Sequence, residues 1–158
     1  MRGVGRRGVT VIACVGNPLA GDDGLGCVVA RLLSALRLPE GVEVVEIGVG
    51  GLDLLDAIRG ASRAIVVDAV RGGEPGRLVR VEWRGPVALE EEPDAHGLGV
   101  AEALSLGYSA FPEEMPRHLV LLGIVGQRFR GEGLSCPVVR ALPTLLHVLL
   151  EELLDYPS

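Results

Sequence analysis

Two aspartates stand side by side in GNPLAGDDGLG (residues 16–26), a glycine-rich turn between an apolar run and a helical one. Adjacent carboxylates repel, and a bound cation is a common reason for both to stay ionised. An aspartate in such a turn can also be an N-cap, satisfying free amides and complementing the helix dipole. One cap needs one carboxylate, so Asp22 is the cap candidate and Asp23 the ligand candidate. Asp68 closes the apolar run AIVVDAV, where its ordinary role would be to cap a turn. His96 lies in PDAHGLG ahead of a helical stretch, and a lone histidine is ordinarily a surface or capping group. Yet Asp23, Asp68 and His96 each follow a strand-like segment and precede a helix or turn, so one sheet edge can collect all three. Two carboxylates and an imidazole with open coordination positions suit a borderline divalent ion such as nickel or zinc. Such an ion polarises a carbonyl and lowers the pKa of bound water.

Several other chemistries are excluded. Gly16 and Gly21 have the spacing of a phosphate-binding loop, but Asp22 and Asp23 stand where its lysine and Ser/Thr belong. A phosphate would meet two negative charges. The dinucleotide fingerprint is absent too, because Gly21, Gly24 and Gly26 are spaced differently. All 15 basic residues are arginine, which rules out a lysine Schiff base and a lysine general base. A net charge of -6 argues against nucleic-acid binding, which needs clustered cations. Cys14, Cys27 and Cys136 are odd in number and widely spaced, fitting neither a disulfide framework nor a CxxC metal site. No cysteine or serine has a partnered histidine nearby, which disfavours a nucleophilic protease. His118 opens a strand and His147 sits within a terminal helix, so both are poorer ligand candidates than His96.

The elements that must position these side chains alternate. Near-continuous apolar, β-branched runs at 9–16, 63–70 and 117–126 predict strands covered on both faces, with a further strand at 42–47. The 76–83 segment alternates and predicts a strand with one wet face at the sheet edge. Helical periodicity marks 25–36, 52–58, 98–106 and 137–154, with a kink or break expected at Pro143. Residues 48–51 form a turn and 84–97 an acidic loop, with Cys136 placed in a turn before the last helix. The pattern predicts a single α/β domain over residues 1–158. Its architecture is a three-layer sandwich: a mostly parallel five-stranded sheet, helices on both faces, and one antiparallel edge strand. Ligands gather at the carboxyl edge of such sheets, beside a topological switch point. If the first strand pairs with both the second and the third, the loops after strands one and three become neighbours. The longest apolar runs are about eight residues, against the roughly 20 that cross a bilayer, so a cytoplasmic protein is expected.

Read in order, GNPLAGDDGLG, VEVVEIGVGGLDLL, IVVDAV, a histidine before GLGVAEAL, and LVLLGIVG resemble the nickel–iron hydrogenase maturation endopeptidases over roughly residues 10–150. The resemblance implies a cytoplasmic enzyme that removes a C-terminal extension from a hydrogenase large-subunit precursor after nickel insertion. It carries the family's metal-contacting acids onto Asp23 and Asp68 and its histidine onto His96, as metal and catalytic residues of an aspartyl-type or metal-assisted endopeptidase. Gly50 and Gly51 match the glycine turn where substrate is thought to approach, and Glu46 stands at a position often held by aspartate. Nickel would be supplied by the substrate, with zinc or cadmium able to substitute in vitro. The expected partner is the nickel-loaded precursor, not a nucleotide, nucleic acid or membrane. Two departures stand out: DAH replaces a Ser/Thr-containing approach to the histidine, and GIVGQ lacks the proline usual after the last strand. The alternatives are a nickel-binding accessory or carrier protein without peptidase activity, a nucleotide- or sugar-binding module, and a purely structural subunit.

Overall fold

A computed structural model describes residues 6–48, 51–84 and 98–155. Its strands are β1 (Thr10–Val15), β2 (Val42–Ile47), β3 (Arg63–Val70), β4 (Leu78–Arg84) and β5 (His118–Val125). Its α-helices are α1 (Leu25–Ser34), α2 (Leu52–Ile58), α3 (Leu98–Ala110) and α4 (Cys136–Asp155). The sheet order is β2-β1-β3-β5-β4. All neighbours are parallel except β4, which runs antiparallel to β5 at one edge. The five strands and the antiparallel edge follow the sequence patterning.

Alternation along the strands builds two cores. Val11, Ala13, Ala64 and Val66 point to one face and pack with Leu54, Leu55 and Ile58 of α2 and Val100 and Leu104 of α3. Ile12, Cys14, Ile65 and Val67 point to the other and pack with Leu25, Val29 and Leu33 of α1 and Leu145 and Leu149 of α4. Apolar side chains alternating on both faces are what a doubly covered sheet requires.

The expected break at Pro143 does not occur: α4 runs through it for 20 residues and already includes Cys136. Proline lacks the amide that would bond the carbonyl four residues earlier. That carbonyl belongs to Val139, which is 48% exposed, so water can serve it. Among the described residues no helix is long and apolar enough to cross a membrane.

The amino edge of the sheet carries an ionic network. Arg63, 2% exposed, donates from Nε to His118 Nδ1 (2.9 Å) and from a terminal nitrogen to Glu152 of α4 (2.7 Å). Glu152 also accepts from Arg80 (2.6 Å), and Glu82 accepts from Arg80 (3.3 Å) and Arg84 (3.1 Å). Because Nδ1 accepts from Arg63, the neutral His118 carries its proton on Nε2, facing Glu82.

Candidate active site

β1 pairs with β2 on one side and β3 on the other, so the chain reverses its winding direction between β1 and β3. The β1–β3 ladder ends at Cys14↔Val67, while β3 continues against β5 with Asp68↔Gly123. Asp68 is therefore the first β3 residue past that ladder, on the face covered by α2 and α3. The Gly21–Gly24 3-10 turn packs against β3 at the same carboxyl edge. The turn carrying Asp23 and the end of β3 carrying Asp68 thus lie at one carboxyl edge, the adjacency that follows once β1 pairs with both β2 and β3.

Close backbone approach shapes the Asp23 turn. Asn17 N donates to Asp23 O (3.0 Å) and Asp23 Oδ2 (3.1 Å), and Asn17 Oδ1 accepts from Leu19 N (2.9 Å). A Cβ on Gly16 would lie 1.9 Å from Asp23 O, and one on Gly26 would lie 2.3 Å from Val15 O. Only glycine at these two positions lets the turn fold back onto β1. The glycines serve proximity here, not phosphate binding.

Asp68 is 6% exposed, and the amide of Ala69 (2.9 Å) is its one hydrogen-bond donor among the described residues. Burial, and then the negative charge of Asp23, push its carboxyl up to about 7 against the opposing effect of that amide. A cation between the two carboxylates would relieve this repulsion, so the oxygen donors present fit a divalent ion. Among the described residues no three histidine, cysteine, aspartate or glutamate side chains form a metal cage. His96, the third expected ligand, lies outside the described residues, as does Gly50. Gly51 precedes α2 at the end of β2 with φ +84°, and its carbonyl accepts from Leu54 N and Leu55 N.

Asp22 corrects the capping expectation. No side chain caps the 3-10 turn or α1. The Asp22 carboxylate instead reaches across to Gln127, Arg128 and Ser135 in the β5–α4 connection. Burial alone would raise its pKa, but the amides of Arg128 and Ser135, the Ser135 hydroxyl and the Gln127 amide outweigh that and hold it below its ordinary value. Partners 105 to 113 residues away leave no local signal, which is why the sequence did not reveal them.

Glu46 sits in register with Cys14 and faces the α1 side of the sheet, opposite to Asp68. Its neighbours there are the two thiols: burial and then the Glu46 charge raise Cys27, and the same two causes push Cys14 up to about 12. Neither thiol is held as a nucleophile.

Against this geometry, comparison with known proteins decides the family. A family model described as hydrogenase maturation protease matches residues 27–152. The chain belongs to the hydrogenase maturation protease family. It is 29% identical to the hydrogenase 2 maturation protease of Escherichia coli over 144 residues, covering 85% of each chain. To the hydrogenase expression/formation protein HoxM of Azotobacter vinelandii it is 32% identical over 151 residues, covering 92% of this chain and 72% of that one. The fold also matches the hydrogenase maturating endopeptidase HybD from E. coli with a TM-score of 0.78, at 26% identity and 93% coverage of both chains. The protein is accordingly a maturation protease by family and fold. In this maturation protease the two residues after the last strand use their backbone amides. Gly126 N donates to Val70 O (2.8 Å) and Gln127 N to Asp22 Oδ2 (2.7 Å), and proline at either position would delete a donor.

Proposed function

We propose that this maturation protease removes the C-terminal extension of a nickel–iron hydrogenase large-subunit precursor after nickel has been inserted. The observation that carries this reading is the buried Asp68 at the sheet's carboxyl edge, its carboxyl raised by burial and then by the charge of Asp23. A cation would relieve that repulsion, and the nickel carried by the precursor is the proposed one. His96, in the connection that follows β4, is the proposed third contact.

Held by Asp23, Asp68 and His96, such an ion would supply Lewis-acid polarisation of the scissile carbonyl and lower the pKa of a water bound to it. Asp23 and Asp68 orient the nickel-bearing end of the precursor. Asp68 gives up its proton as it engages, so precursor binding releases a proton and strengthens as pH rises toward 7. Gly50 and Gly51 are the proposed contacts for the extended tail.

Intact-mass measurement of nickel-loaded precursor, before and after incubation with this protein, tests the reading. Loss of a short C-terminal peptide is expected with the wild type, and an unchanged mass with Asp23→Ala, Asp68→Asn or His96→Ala. Nickel-free precursor should stay whole. Tight nickel binding with no change of precursor mass would point instead to the accessory role.

A further inference from the structure

We propose that Asp22 is a positioning residue, whose buried carboxylate locks the β5–α4 connection (126–135) onto the turn carrying Asp23 and so holds Asp23 at the carboxyl edge of the sheet. The kinetic part of this proposal rests on the function proposed above.

Asp22 is 0% exposed. Its Oδ2 accepts from Gln127 N (2.7 Å), Arg128 N (2.9 Å) and Ser135 Oγ (2.7 Å), and its Oδ1 accepts from Ser135 N (2.7 Å). The backbone joins the same two segments: Gly21 N donates to Gly131 O (2.6 Å) and Asp22 N to Arg128 O (2.7 Å). The fit is close, since a Cβ on Gly21 would lie 2.4 Å from Arg128 O and one on Gly126 would lie 2.9 Å from Asp22 Cβ. Burying a charge is a costly way to hold a loop that apolar packing could hold. What the carboxylate adds is direction. Four donors converge on it from both ends of the connection, and only an acceptor-only group receives all of them.

The joined segments also border a cavity of about 280 Å³ that reaches Cys27 and Arg31 of α1, with Pro18 and Leu19 on one side and Glu132 and Leu134 on the other. Releasing the connection would move one side of that cavity and slacken the turn that aims Asp23.

The test uses Asp22→Asn and Ser135→Ala in the full chain, with precursor cleavage followed kinetically well below each melting midpoint. Asparagine turns an NH2 toward one of the donors, whereas Ser135→Ala removes a single bond and keeps the assay informative should Asp22→Asn fail to fold. Arg128 and Arg130, both exposed, supply tryptic sites inside the connection. Expected for Asp22→Asn are tryptic cleavage there about tenfold faster and a KM for precursor about tenfold higher at nearly unchanged kcat, with Ser135→Ala shifting both in the same direction but less. A purely structural role would lower apparent kcat, through the amount of folded enzyme, at unchanged KM; that result overturns the proposal. Wild-type tryptic resistance in Asp22→Asn also overturns it. Should wild-type protein leave the precursor whole, the function fails, and the tryptic rates alone decide whether Asp22 locks the connection.

Discussion

Burial and the charge of Asp23 raise the Asp68 carboxyl to about 7, whereas in the unfolded chain it titrates near 4. Between those values the native state binds more protons than the unfolded state, so stability falls as pH rises through this window. The cost is fully present above about pH 7. Asp68→Asn is expected to flatten the urea-denaturation profile between about pH 4 and 7 and to exceed the wild type by a few kcal/mol at pH 8. A wild-type stability that climbs through that window would contradict the assignment. The same substitution should abolish precursor cleavage, so stability and function part company at this side chain. Asp68 was legible as the one acid within an apolar run. Its coupling to Asp23 was not, because the two meet only when β1 and β3 lie side by side.

Helix α1 reaches β1 through a glycine contact, and this gives a sharp packing prediction. Gly26→Ala places a methyl within 2.3 Å of Val15 O, so the helix must move outward and carry the Asp23 turn with it. Overpacking against backbone of this kind costs about 3 kcal/mol, measurable as a lowered melting midpoint. An unchanged midpoint would mean that α1 rests on β1 less tightly than described. Helix extents were less legible than strand extents. The α4 periodicity was clear, yet Pro143 argued for a break that solvent access at Val139 makes unnecessary. Asp22 misled for the opposite reason: an aspartate before a helix looks like a cap, while its partners lie more than a hundred residues downstream.

The two edges of the sheet divide the work of the molecule. The Arg63 network ties β3, β4, β5 and α4 at the amino edge. Asp68 lies five residues further along the same strand, roughly 17 Å away at the usual strand rise. Arg63→Met removes the buried guanidinium that joins His118 to the partly exposed Glu152 and is expected to destabilise the protein by about 3 kcal/mol. KM and kcat for precursor should stay at wild-type values when measured below the new midpoint. A change in either constant would show the edges to be coupled.

Apolar periodicity by itself determined the five strands, the four helices and the sidedness of the sheet, because burial on two faces leaves a pattern that needs no knowledge of neighbours. The same sequence singled out Asp23 and Asp68 as candidates, since charged groups at the ends of apolar runs are exposed to view in one dimension. Only the tertiary structure decided that β1 lies between β2 and β3, which is what brings Asp23 to Asp68 and shifts the proton affinity of one by the charge of the other. It also turned Asp22 from a cap into a tether. Hydrogen bonds between distant segments depend on which loops the sheet order makes adjacent, and no local pattern encodes that.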